Sequence, residues 1–505
     1  MKCANIWIGT ETGLHRYTGE LFRVYNYNDG LISNLVWAIM YDSKDNYWFS
    51  TSEGVSRFTF PERNGQKQYN NPSVKSYTVA EGLPDNLIIS MFEDSKGNVW
   101  FGTQNKGVSV LTKEIKKVKR EEMEVDVFKN FSVADGIADN KIFSICEDVE
   151  GNLWLGTSNG ATRLNPETKE IKNFTMADGL GGDKVFKIFR DSKNNLWFGI
   201  LGGYLTRFDG KEFKTFSLNQ KFILSMDEDK SGNIWFGAYG GGVIKYSPGE
   251  KEADKQFRNF SADSGLSSNS PLFIACDQKG NVWIGQSRGI EKFDSGTQRF
   301  SLYSRQQGFP GVETNENAVA KDKDGNIWFG TIKGVIKFSP EKEKKSKTEP
   351  LTSITSLKLF LKEIPFSNEF HYDENYLSFT SLAVCLTNPK DVLYQYKLEG
   401  FDADWISATP SNNVTYSNLS PGDYIFMVKA SNGENVWNQE PAKYHFAINP
   451  PFWETWWFRI SAGVFLLSVI ILIIKWRERA LKIEKKVLEE KVDERKKFPW
   501  LWNKL

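Results

Sequence analysis

The chain carries three histidines, His15, His371 and His445, and no two lie close enough to make a local metal motif. Its four cysteines, Cys3, Cys146, Cys276 and Cys385, contain no CxxC pair, which argues against a zinc ribbon or a thioredoxin-like site. Carboxylate pairs such as Asp227/Asp229 and Asp322/Asp324 have the types needed for acid–base work. They fall in hairpin turns, however, where accepting turn amides is the simpler role. No catalytic residue, metal ligand or cofactor is therefore assigned. The side chains that read best as ligand contacts are Trp37, Tyr204 and Tyr239, with Glu313, Asn315 and Asn317 beside them in sequence space that follows no repeat. Aromatic faces take flat groups, and a few polar groups fix orientation.

The elements that must position these residues are legible. A chain of 505 residues implies two to four domains, and 40% apolar with 25% charged residues excludes wholesale disorder. Lys+Arg (64) balances Asp+Glu (63), so the basic field expected of a nucleic-acid binder is missing. Eight tryptophans, Trp7, Trp48, Trp100, Trp154, Trp197, Trp235, Trp283 and Trp328, recur 38–54 residues apart. Asparagine precedes each by two positions, and glycine follows all but one by two. Aspartate precedes seven of them by six, from Asp42 to Asp322. Each unit reads as strand, tight hairpin, return strand and two more strands, joined to the next by an Asp-Gly-Leu loop such as residues 178–180.

Four antiparallel strands per unit make one blade of a β-propeller. The fold class is all-β, with a propeller over residues 1–340. Seven blades are favoured, with eight as the alternative. The ring closes at seven if Phe22–Asn26 completes the last blade, leaving residues 4–18 as a surplus hairpin. The eight frame tryptophans are read as packing between blades.

The frame, written Gly-Asn-Val-Trp-Phe-Gly-Thr at residues 97–103, resembles the two-component regulator propeller repeat. The resemblance implies a periplasmic ligand-binding sensor whose ligand is an oligosaccharide. Relatives carry two such rings, which together with the absence of an apolar leader after Met1 implies a truncated start.

Residues 341–349 read as a charged linker and 350–450 as an immunoglobulin-like β-sandwich. Tyr396, Tyr416 and Tyr424 match the pattern of the triple-tyrosine domain that follows such propellers. As residues they read as strand aromatics with satisfied hydroxyls. Trp456 to Trp476 gives 21 positions, enough to span about 30 Å of hydrocarbon. Tryptophans stand at both ends, and Lys475, Arg477, Arg479 and Lys482 follow. The positive-inside rule puts residues 477–505 in the bacterial cytoplasm, with propeller and sandwich in the periplasm. In that stub, Leu481, Leu488 and Val492 keep a/d spacing, a short parallel coiled coil that implies a homodimer. The resemblance also implies a histidine kinase further on, whose motifs this sequence lacks.

The expectation is thus a sensor region anchored in the inner membrane by one helix, which binds an oligosaccharide and no nucleic acid. A surface scaffold or adhesion module is the alternative, and a propeller enzyme such as a lyase is a further one.

Overall fold

The computed structural model describes residues 6–10, 13–17, 21–118, 121–218, 222–250, 256–304, 309–310, 313–343, 348–385, 392–432 and 435–497. They form two compact units, Met1–Lys344 and Lys345–Leu505.

In the first unit, seven four-stranded antiparallel sheets follow one another in the chain. We number them as blades 1–7. Their inner strands are Val36–Tyr41, Ile88–Glu93, Ile142–Glu147, Val185–Arg190, Phe222–Glu228, Phe273–Cys276 and Thr314–Lys321. Each inner strand touches the next, and the seventh returns to the first, so the ring is closed. Blade 7 takes its outermost strand from the opposite end of the unit: Phe22–Tyr25 pairs with Gly334–Phe338. Ile6–Thr10 and Gly13–Tyr17 pair only with each other, as the surplus hairpin. Side-chain packing of Trp7, in that hairpin, lies outside what is described.

The other seven frame tryptophans are buried, none more than 2% exposed. Each indole Nε1–H donates to the aspartate six residues earlier, at 2.8 or 2.9 Å. The same carboxylate accepts from the asparagine amide and from backbone N–H groups of the hairpin, as Asp191 does from Lys193 and Asn195. The repeated aspartate therefore ties turn to core, and its charge is spent on hydrogen bonds.

The Asp-Gly-Leu loops are capped single turns. Asn26, Thr78, Ser132 and Thr175 each accept an amide hydrogen bond while an acid three residues on accepts from their own amide. The following glycine has φ of +103° to +112°, which a side chain would strain. The next residue, Leu31, Leu83, Ile137 or Leu180, is buried. On the opposite face a hairpin serine reaches the next blade: Ser43 to Glu93, Ser95 to Glu147, and Ser192 to Glu228. At the seam from blade 7 to blade 1 this latch is replaced by Lys323–Asp45 (2.7 Å) and by Tyr47 donating to Asp322 (2.9 Å).

In the second unit two four-stranded sheets pack as a sandwich. One holds Lys362–Ile364, Leu351–Leu359, Leu377–Val384 and Asn413–Tyr416; the other holds Glu369–Phe370, Ala442–Ile448, Gly422–Ser431 and Leu393–Glu399. Phe379 and Phe426, one from each sheet, stack at 4.1 Å between centroids in the shared core. Tyr396, Tyr416 and Tyr424 are buried, and their hydroxyls donate to Ser411 O, Asp402 and Ser420 O at 2.7–2.8 Å. One helix, Trp456–Lys497, follows without a break. It is long and apolar enough to cross a membrane. At 1.5 Å per residue it is about 63 Å long. Leu481, Leu488 and Val492 are exposed on it.

Candidate functional site

Inner strands of a propeller enclose a central channel. Here it holds a cavity of about 370 Å³ whose wall includes Met91, Ser144, Cys146, Lys187, Met226 and Asn317. Counting back five residues from each hairpin aspartate gives one position per blade near the start of the inner strand. It is filled by Trp37, Ile89, Phe143, Phe186, Leu224, Leu272 and Asn317. The position after it holds Ala38, Ser90, Ser144, Lys187, Ser225, Phe273 and Ala318. Small residues suit it because the next blade closes in: Ser90 Oγ donates to Ile142 O at 2.8 Å. Lys187 and Phe273 are the exceptions.

Aromatic rings run in an unbroken arc along one side. Phe143 and Phe186 lie 4.7 Å apart, Phe186 and Phe222 5.7 Å, and Phe222 and Tyr239 6.1 Å. Lys141 sits 5.0 Å over the Phe143 ring. Tyr239 ends the second strand of blade 5 and Tyr204 begins the third strand of blade 4. Their exposures are 41% and 39%.

Across from this arc, blade 7 breaks register. Thr314 pairs with Thr331, and pairing resumes only at Val319 with Phe329. The extra residues swell out as a bulge that includes Asn315, Glu316 and Asn317, and Asn317 has φ of +57°. Asn315 Nδ2 donates to Val36 O at 2.5 Å and so fixes the bulge to blade 1. Trp37, next to Val36, has its indole N–H buried with no acceptor. Glu313 is exposed just before the bulge.

Lys187 of blade 4 reaches across the channel and donates to Asn317 Oδ1 of blade 7 at 3.1 Å. Burial holds its ammonium below the ordinary lysine range, against the pull of Cys146 and Asp227. Burial also pushes the Cys146 thiol up to about 11, so this cysteine is a poor nucleophile.

Of the six side chains picked from sequence, the fold groups Trp37, Asn315 and Asn317 at the junction of blades 7 and 1. Tyr239 ends the aromatic arc. Tyr204 and Glu313 are exposed, away from the cavity wall. Sequence reading passed over Phe143, Phe186, Phe222, Glu316 and Lys187. The aligned repeats did hold a signal for the last: a lysine where six units have Ala, Ser or Phe.

Among the described residues no group of three His, Cys, Asp or Glu side chains is arranged to hold a metal. Phe143 of the aromatic arc and Asn317 of the bulge line the same cavity. Segments 30–53, 82–105, 136–159 and 309–333 match the family described as two component regulator propeller. Residues 385–449 match the Y_Y_Y domain. Four segments of the ring thus match the two component regulator propeller repeat, and most of the sandwich after it matches the Y_Y_Y domain.

Two solved extracellular domains of hybrid two component systems from B. thetaiotaomicron share the fold. One has a TM-score of 0.61 at 23% identity, over 88% of this chain and 60% of that one. The other has 0.52 at 21%, over 89% and 61%. A histidine kinase, P4, from Formosa agariphila is 23% identical over 248 residues, which is 46% of this chain and 18% of that protein. The chain therefore spans under a fifth of that kinase and about three fifths of the two solved domains.

Proposed function

We propose that this chain is the membrane-anchored, ligand-binding part of a two-component sensor, and that its ligand is an oligosaccharide. The observation that carries the reading is the channel: an arc of four aromatic rings faces a bulge bearing Asn315 and Asn317. Sugar rings stack on such faces, and amides fix their hydroxyls. Trp37 supplies a buried donor in want of an acceptor. Tyr204 and Glu313 extend the site outward, and Tyr239 closes the arc.

On this reading the protein binds and does not catalyse. Helix Trp456–Lys497 crosses the bacterial inner membrane, with the two β units periplasmic and its Lys/Arg-rich end cytoplasmic. Two copies pair through that end and pass the signal to a kinase. The test is thermal melting of the full chain in detergent against a panel of oligosaccharides. A ligand at 100 times its Kd stabilises the native state by about 2.7 kcal/mol, a readable shift. Absence of any shift across the panel would reject the reading.

A further inference from the structure

Among the described residues Lys187 has no carboxylate in contact, and Asp227 acts on it only at longer range. Its Nζ is held by one neutral amide oxygen, Asn317 Oδ1. Among the described residues no carboxylate comes within 4.0 Å of it. The acids around the channel are engaged elsewhere. Asp227 accepts from Lys321 Nζ at 2.5 Å and from the Cys276 amide at 2.6 Å. Glu147 accepts from the amide and hydroxyl of Ser95. Glu316, on the bulge, is exposed to solvent. Arg190, three residues further along the same inner strand, is exposed to solvent. Lys187 is half-buried in the channel wall, and an ammonium partly withdrawn from water costs free energy unless paired. The channel also holds room for a charged group beside it, about 370 Å³ bounded by Ser144, Cys146 and Asn317.

We infer that the channel takes an acidic oligosaccharide, and that Lys187 is the residue that binds its anionic substituent. The sugar stacks on Phe143 and Phe186 at the rim. Its carboxylate or sulfate descends to the ammonium, where Asn317 Nδ2 is placed to donate to the same anion. This deepens the sensor reading and rests on it. The shared chemistry is a sugar-borne anion, and two kinds of probe separate its sources: oligogalacturonates for carboxylates and sulfated galactan oligosaccharides for sulfates. Unsubstituted galactan and xylan oligosaccharides are the neutral controls.

The experiment measures melting and calorimetric affinity of the full chain in detergent, for wild type, Lys187→Met and Asn317→Ala. The expected result is a shift with at least one acidic class and little with the neutral ones. Lys187→Met weakens the acidic ligand roughly thirtyfold or more, the usual penalty for removing one partner of a buried charge pair. The unliganded Lys187→Met protein melts no lower than wild type, because a partly desolvated charge with no carboxylate in contact has been removed. Asn317→Ala weakens the same ligand by a smaller factor. A neutral oligosaccharide that binds wild type and Lys187→Met equally well would overturn the inference and leave the sensor reading standing. An acidic ligand indifferent to Lys187→Met would also overturn it. No response to any sugar would reject both.

Discussion

Blade 3 is one continuous segment, Ile142 to Phe174, whose inner strand gains a single residue on its neighbour between Ile142 and Ser144. Blade 7 is assembled from both ends of the ring, and its inner strand gains three residues between Thr314 and Val319. The two share the same Asp–Trp tie at 2.9 Å. They differ in what surrounds it. Trp154 packs on Phe174, Phe198 and Phe208. Trp328 packs on Tyr25, Tyr47, Phe49, Phe60 and Tyr69, most of them delivered by blade 1. Asp322 likewise accepts from Tyr47 of the neighbouring blade. Both blades lean on the next one: Trp154 takes Phe198 and Phe208 from blade 4, as Trp328 takes Tyr47 and Phe49 from blade 1. The composite blade differs in degree, since its tryptophan meets five rings where the regular one meets three.

The largest expected effect breaks the two cores. Trp328→Ala should cost about 4–5 kcal/mol and Trp154→Ala about 3–4, from lost burial and the cavities left behind. Urea denaturation of both variants measures the difference, and equal costs would remove the claim that the larger aromatic shell around Trp328 holds blade 7 more firmly. Next come the ties: Asp322→Ala should cost about 3 kcal/mol and Asp148→Ala about 2, since each loses charge-assisted hydrogen bonds and Asp322 loses one more.

A smaller effect tests the seam. Burial of Asp45 works against its ionisation, but hydrogen bonds from Lys323, Lys67 and Tyr41 outweigh this and hold the carboxyl at about 2, below its ordinary 3.8. With a depressed folded value, this stabilisation is present above pH 4 and lost as pH falls through about 2. After solvent screening it amounts to about 1 kcal/mol or less. Stability of wild type and Asp45→Asn measured between pH 2 and 5 should converge at the acid end. The smallest effect concerns two glycines of blade 7. Gly325 has φ of +76° with open space around it, and the matching turn in blade 4 uses Asn194 at +67°. Gly325→Asn should stay within about 0.5 kcal/mol. At Gly334 a side chain would collide with the Tyr25 carbonyl of the closing strand, so Gly334→Asn should cost several times more in the same assay.

Much of this is legible from residues. The spacing of tryptophan, asparagine and aspartate defines the blade, and the closing role of Phe22–Asn26 follows from counting strands, with the observed strand ending at Tyr25. The aspartate reads as a turn acceptor, which it is, but its bond to the indole has no signal in the spacing. Strand periodicity says which residues alternate and leaves open how a hairpin folds back over its own base. The site is harder. Asn315 and Asn317 stand out because they follow no repeat. Lys187 stands out only once the inner strands are aligned, since its partner lies 130 residues away and a single cation in a strand ordinarily reads as exposed. The segment 61–71 carries no residue of the repeat frame either. It includes a small hairpin, and its Tyr69 donates to Asp324 at 2.9 Å while its Asn70 meets Arg23. That is a long-range role with no local signature.

The closing strand also sets an order in time. Phe22–Tyr25 leaves the ribosome early, yet its partner Gly334–Phe338 follows some 300 residues later. At 5–20 residues per second that is a wait of about 15–60 s. Throughout it, blade 1 has formed its sheet with no blade 7 beside it, and Tyr25, Tyr47 and Phe49 lack the Trp328 face they finally cover. Until then the ring is an open arc with sticky ends, and whatever meets the growing chain must shield that seam until Trp328 arrives.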